Sequence, residues 1–175
     1  MRIESATAIR RRQAIRGNAT TIPFSVARRD WYHAVHEAAH AIVGFVMGLT
    51  TKFMVAKSPG KTAHIEFCSF SALNRDSTRW LMIAVAGQVG TRVVGFKNRL
   101  ISGQLARLGE DAPGCGSDAE KVWERWYPHD EIKAAEKSVR LILSKRLPAL
   151  ERLAKALLKD RRLTTEQICR LIRNP

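Results

Sequence analysis

The alternation of apolar and polar positions divides the chain into a few helices and one short hairpin. Trp31–Met47 reads as a helix that becomes almost wholly apolar over Ala41-Ile42-Val43-Gly44-Phe45-Val46-Met47. Asp30 is placed to cap its start and Gly48 to stop its end. Thr50–Phe70 then changes to strand character, with Lys52-Phe53-Met54-Val55-Ala56 and Thr62-Ala63-His64-Ile65-Glu66-Phe67 as two runs and Ser58-Pro59-Gly60 as the turn between them. A second helix, Arg79–Val94, is capped by Ser77 or Thr78 and is apolar nearly all round, so it is expected to be buried. Gly87 and Gly90, three apart on it, allow a neighbouring helix to come close. Lys97–Gly116 reads as loop, and Ser117-Asp118 opens a third helix over Ala119–Trp126. Asp130 is placed to cap a last segment in which Ile132, Ala135, Val139, Ile142, Leu143, Leu147, Leu150, Leu153, Leu157 and Leu158 recur at helical spacing. Pro148 divides that segment near Lys145–Leu147. Thr164 or Thr165, with Glu166 or Gln167, starts a terminal helix through Ile172. The pattern predicts a mainly α protein with a small β-hairpin or short sheet, an α+β fold.

One polar group interrupts the apolar first helix. His36-Glu37-Ala38-Ala39-His40 puts two imidazoles four residues apart, one turn along the same face, where both can point at one spot. Polar side chains in a core helix need partners, and a zinc ion accepts neutral imidazole nitrogens. Glu37, next to the first imidazole, can reach a water at such an ion and take its proton. Two ligands leave the site incomplete, so a third must come from elsewhere. Asp118, at the start of the third helix, is the best candidate, although an Asp there is also an ordinary N-cap. His33, three residues before His36, shares the face and reads as a polar neighbour of the site, with a spare ligand as the alternative. Gly60-Lys61-Thr62 has the ending of a phosphate-binding loop, but Val55 stands where that loop needs its first Gly, which argues against nucleotide binding.

Charge and cysteine usage narrow the setting. With 30 Lys and Arg against 16 Asp and Glu, the 175-residue chain carries +14, which attracts polyanions such as nucleic acid, acidic proteins or anionic membrane. The basic residues are dispersed rather than blocked, so the favoured reading is a solvated basic surface. Residues 1–29 hold seven arginines and one acid, Glu4; they read as a basic N-terminal arm ahead of a single domain over 30–175, faintly like an organelle transit peptide. Cys68, Cys115 and Cys169 are odd in number and widely spaced, which suits a reducing cytoplasm rather than a disulfide framework. No apolar run reaches the ~18 residues of a membrane span, and no secretory signal is visible.

These residues resemble the peptidase domain of the FtsH-type, AAA-associated zinc metallopeptidases. His36-Glu37-Ala38-Ala39-His40-Ala41 is similar to the family's H-E-A-G-H-A. Ala84-Val85-Ala86-Gly87-Gln88-Val89-Gly90-Thr91-Arg92-Val93-Val94-Gly95-Phe96 is similar to its buried G-G-R-A-A-E-E segment. Gly114-Cys115-Gly116-Ser117-Asp118 is similar to its G-A-x-x-D, and Ala156–Ile168 looks like its C-terminal helices. The likeness spans about residues 31–172. It implies zinc ligands at His36, His40 and Asp118, a general base at Glu37, and a peptide substrate held along the edge of the Ala63–Phe67 strand.

The chain also departs from the family. No ATPase module precedes the motif helix and no membrane anchor is present. Thr91-Arg92 replaces an acidic pair, and Ala39 replaces a Gly, a change expected to tighten packing against the hairpin. The expected activity is therefore a zinc-dependent endopeptidase without its own ATPase, acting on flexible or unfolded chains or supplied by a separate ATPase, with homo-oligomerisation open. The alternatives are an inactive zinc scaffold or regulator able to bind a polyanion, and a different zinc-peptidase lineage, of the phage-type repressor-cleaving kind, in which Glu120 or Glu66 is the third ligand.

Overall fold

A computed structural model describes residues 26–56, 63–68, 77–97, 118, 122 and 127–173. The fold is mainly helical with a small antiparallel sheet: α1 (Val26–Val46), β1 (Thr51–Ala56), β2 (Ala63–Phe67), α2 (Ser77–Val93), α3 (His129–Lys145), α4 (Leu147–Asp160), β3 (Arg162–Thr164) and α5 (Thr165–Arg173). The arm over residues 1–25, the turn at Ser58-Pro59-Gly60, and the loop from residue 98 to Gly116 lie outside the described residues. Of the third expected helix only Asp118 and Val122 are described, both helical. No helix among the described residues is long and apolar enough to cross a membrane.

α1 is the hub. Ala34, Val35, Ala38, Ala39, Ala41, Ile42 and Val43 are fully buried on it, and it touches α2, α3, α4, α5 and the first two strands. Its alanines explain how one helix accepts so many neighbours, because short side chains let backbones approach. The helix ends where expected: Gly48 has a φ of 81°, and the Leu49 N–H reaches back to the Gly44 carbonyl at 2.8 Å. Its beginning differs from expectation. Nothing between Pro23 and Trp31 breaks a helix, so α1 already includes Val26, and Asp30 lies inside it rather than at its cap. Four residues assigned to the arm, 26–29, are thus helical. The Asp30 carboxylate instead lies 3.9 Å from the Arg161 guanidinium.

The sheet has three strands in the order β2-β1-β3, so β1 is central and antiparallel to both neighbours. Met54 faces Ile65 on one side and Leu163 on the other, and Met54 and Leu163 are fully buried. β3 is too short to show a period in the sequence. It forms because Arg161 takes a left-handed conformation (φ 60°), ends α4 through its N–H to the Leu157 carbonyl, and accepts a hydrogen bond from the Ala56 N–H at 2.8 Å.

The second half follows its apolar spacing. Ile132, Ala135, Val139 and Leu143 bury one face of α3, and Ala149, Leu150, Leu153, Ala154 and Leu157 one face of α4. The break falls at Arg146, with Pro148 in the first turn of α4, where its missing N–H costs nothing. Asp130 is not the α3 cap: Pro128 occupies that position, and Asp130 and Glu131 sit in the first turn, where carboxylates favour the helix dipole. At α5 the reciprocal cap is Thr164 with Gln167: the Thr164 N–H donates to Gln167 Oε1 at 2.9 Å, and the Gln167 N–H to Thr164 Oγ1 at 3.4 Å. Thr165 Oγ1 donates to the Lys52 carbonyl at 2.9 Å, fastening α5 to β1.

Leu163 is fully buried in the strand that joins the C-terminal helices to the sheet. Leu163→Ala is therefore expected to lower unfolding free energy by about 2–5 kcal/mol, read from the urea midpoint at constant slope.

Candidate metal centre

The site lies between α1 and α2. Tyr32, His36 and His40 recur every four residues, so they form one stripe along α1. Across from them α2 presents Gly87 and Gly90. A Cβ at Gly87 would overlap the His36 ring, and one at Gly90 would overlap the Ala39 methyl. The expectation that Ala39 packs against the hairpin is therefore corrected: its methyl meets α2, because the bare backbone at Gly90 leaves room for it. The two glycines let the imidazole lie against the neighbouring helix backbone, and this fixes where its nitrogen points.

Asp118 completes the cluster. Its Oδ2 lies 2.9 Å from His36 Nε2 and 3.2 Å from His40 Nε2, and the two Nε2 atoms are 3.1 Å apart. His40 Nδ1 lies 2.7 Å from the Ile83 carbonyl oxygen, a buried contact. A carbonyl only accepts, so Nδ1 carries the proton and donates, which leaves the neutral His40 ring with a lone pair on Nε2. That lone pair faces a carboxylate oxygen and a second imidazole nitrogen. Three electron-rich atoms this close need a hydrogen or a cation among them. Tetrahedral ligands bound at ~2.0–2.1 Å lie roughly 3.3–3.4 Å apart, so the observed triangle is within a few tenths of an ångström of a zinc ligand set. The donor types and spacing could hold a metal ion.

Without a metal, a shared hydrogen must take that place. Burial alone would lower the His40 pKa, but the Asp118 charge and hydrogen bond, the Glu37 charge and the Ile83 carbonyl outweigh it, and the pKa is raised. Burial likewise opposes ionisation of Asp118, yet the neighbouring imidazoles hold its carboxyl well below the ordinary carboxylate range. His36 Nδ1 is buried and has no hydrogen-bond partner among the described residues. It faces the α2 backbone at Gly87.

Glu37 follows His36 on α1, is half-buried, and exerts its charge on both His40 and His33. His33 is not a member of the cluster. Its ring stands edge-on to Tyr32 with centroids 5.6 Å apart, and burial, His36 and Arg29 lower its pKa. Of the alternative third ligands, Glu66 is on the sheet, paired with Lys52 at 2.8 Å, and Glu120 lies outside the described residues.

Sequence reasoning missed four supporting residues: Ile83, whose carbonyl sets the His40 tautomer, and Tyr32, Gln88 and Thr91. The Tyr32 hydroxyl donates to Gln88 Oε1 at 3.2 Å, and burial raises its pKa. Thr91, fully buried, donates to the Gln88 carbonyl at 2.9 Å. Tyr32 alone was within reach of pattern reasoning, since it sits one turn before His36. No family model matches the chain, and no curated protein matches it.

Two expectations follow from the geometry. Gly87→Ala should displace the His36 ring and abolish stoichiometric zinc binding while the far-ultraviolet circular dichroism stays helical; metal analysis after gel filtration reads it. In chelated protein, Asp118 stabilises the fold above its ordinary value of 3.8 and loses this as pH falls. His40 stabilises it below its ordinary 6.5 and loses this as pH rises through the folded-state value. The metal-free protein should thus be most stable between roughly pH 4 and 6.5 and weaken on the alkaline side, whereas the zinc-loaded protein should hold to roughly pH 8. Urea midpoints across pH, with and without chelator, test this.

Proposed function

We propose that the chain is a zinc-dependent metalloendopeptidase. The observation that carries the reading is the convergence of His36 Nε2, His40 Nε2 and Asp118 Oδ2 on one point, with the Glu37 carboxylate next to it in sequence. The resemblance of the three motifs to the FtsH-type peptidase domain supports the same assignment.

His36, His40 and Asp118 hold the ion. When bound, zinc supplies a Lewis acid that polarises a scissile carbonyl and lowers the pKa of a water. Glu37 takes the proton of the attacking water and returns it to the leaving amine. Ile83 holds the His40 tautomer, and the Gly87 backbone holds the His36 ring. Among the described strands β2 is an outer one, since β1 pairs with β3 on its other side. An outer strand suits an extended peptide, which supplies backbone hydrogen bonds without demanding a sequence. Flexible or unfolded chains are the substrates, delivered where needed by a separate ATPase, and the peptidase works as a monomer or as a ring of copies. Cys68 and Cys169, both free thiols, agree with a reducing cytoplasmic setting.

A second reading, a zinc-holding regulator that no longer cuts, is favoured by the charge of +14 and by Thr91-Arg92 in place of an acidic pair. One variant separates the two. Glu37→Gln should keep one zinc per chain and lose casein or peptide cleavage by at least roughly a hundredfold; equal cleavage by variant and wild type rejects the mechanism, and chelator-insensitive or absent cleavage in the wild type favours the regulator.

A further inference from the structure

The two imidazoles of the cluster are held in different ways. His40 Nδ1 is tied to the Ile83 carbonyl at 2.7 Å. His36 Nδ1 is buried and has no hydrogen-bond partner among the described residues. A ligating histidine ordinarily donates its second N–H to an acceptor, and that bond sets the direction of the ring. The torsion that swings an imidazole about its Cβ–Cγ bond is broad, so at His36 packing must supply the restraint that a hydrogen bond supplies at His40. On the α2 side the backbone of Gly87 lies against the ring. Along α1 the ring stands between two others. His40 is on one side, with centroids 4.8 Å apart, and Tyr32 is on the other, with centroids 6.2 Å apart and planes at 32°, within the range of aromatic contacts.

Tyr32 is itself fastened to α2. Its hydroxyl donates to Gln88 Oε1 at 3.2 Å, one residue beyond Gly87. Phe96 meets its ring edge-on, with centroids 5.2 Å apart and planes at 90°. The end of α2 brings Phe96 there. Gly95 takes a φ of 98°, its N–H reaches the Arg92 carbonyl at 3.1 Å, and the Phe96 N–H reaches the Thr91 carbonyl at 3.0 Å, the paired bonds of a glycine helix stop.

We propose that Tyr32 is a positioning residue for His36. Its ring limits the swing of the imidazole, so that Nε2 stays directed at His40 Nε2 and Asp118 Oδ2. It acts through His36, not on a metal or a substrate. The ring carries the larger share, because it adjoins the imidazole, and the hydroxyl contributes by tethering that ring to α2. The inference rests on the metal-binding part of the proposed function and is independent of whether peptides are cut.

Zinc affinity of the full chain, read by competition with a chelator, tests the proposal. It should fall at least roughly tenfold in Tyr32→Ala and stay close to wild type in Tyr32→Phe, which keeps the ring. Leu163→Ala truncates a fully buried side chain in the sheet and should leave zinc affinity unchanged, which separates positioning from a general loss of stability. Should Tyr32→Ala not fold, Tyr32→Leu carries the test, since it keeps apolar bulk and loses only the flat ring. The imidazole nitrogen resonances of the chelated protein give a readout that needs no metal: in the Tyr32 variant those of His36 should shift and broaden while those of His40 hold. Wild-type zinc affinity in the Tyr32 variant, or an equal loss in Leu163→Ala, overturns the proposal. A wild-type chain that holds no zinc defeats the metal reading instead, and the resonances then decide the role of Tyr32, with unchanged His36 signals overturning it.

Discussion

Two imidazole nitrogens and a carboxylate oxygen within 3.2 Å of one another cannot coexist as bare lone pairs. In a medium of low polarizability their mutual repulsion is screened weakly, so a shared hydrogen or a metal ion is a structural part of the cluster. The Ile83 carbonyl sharpens this. By claiming the proton of His40 Nδ1, it reserves Nε2 for the cluster and turns a flexible tautomeric choice into a fixed one. The backbone of α2 thus determines the chemistry of a side chain on α1.

That control depends on how closely α1 and α2 approach. Side chains at Gly87 and Gly90 would hold the helices apart and tilt the His36 ring away from Asp118. Small residues therefore serve two ends in the same place: they bury apolar surface by letting backbones meet, and they set the direction of a ligand nitrogen. The cost is an unsatisfied buried nitrogen at His36 Nδ1. Such a penalty persists only where the surrounding packing over-determines it, and the contact of Ala39 with Gly90 is part of that packing.

The charge of the molecule is distributed in two ways. At the His36, His40 and Asp118 cluster negative and neutral donors converge, and on the far side of α2 Arg92 lies with Lys133, Lys137 and Arg140 around a cleft. One helix therefore separates two regions of opposite electrostatic demand, its glycine face turned to the first and Val89 with Arg92 to the second. In the sheet, β2 is held by β1, and β1 in turn by the short strand Arg162–Thr164 and by the Thr165 hydroxyl, so the C-terminal helices brace the strand on which β2 depends.

Local patterns already determined most elements. The apolar period of α3 and α4, the Pro148 break, the Gly48 stop, the hairpin strands and the four-residue spacing of His36 and His40 are properties of neighbouring residues, and tertiary contacts did not alter them. Helix starts were less legible at Asp30 and Asp130, because a capping side chain is permitted at many positions and only the absence of a helix breaker upstream, or a Pro with fixed φ, selects one. β3 was invisible: three residues carry no period, and its pairing depends on the left-handed turn at Arg161 and on β1, more than a hundred residues away. Asp118 was suggested by its residue type at a helix start, yet its approach to both imidazoles is a contact across 78 and 82 positions that only folding could bring about. The same holds for Ile83, Tyr32, Gln88 and the cleft beside Arg92. Their parts are set by which backbone and which face happen to lie opposite, and that is a property of helix packing rather than of any single stretch of chain.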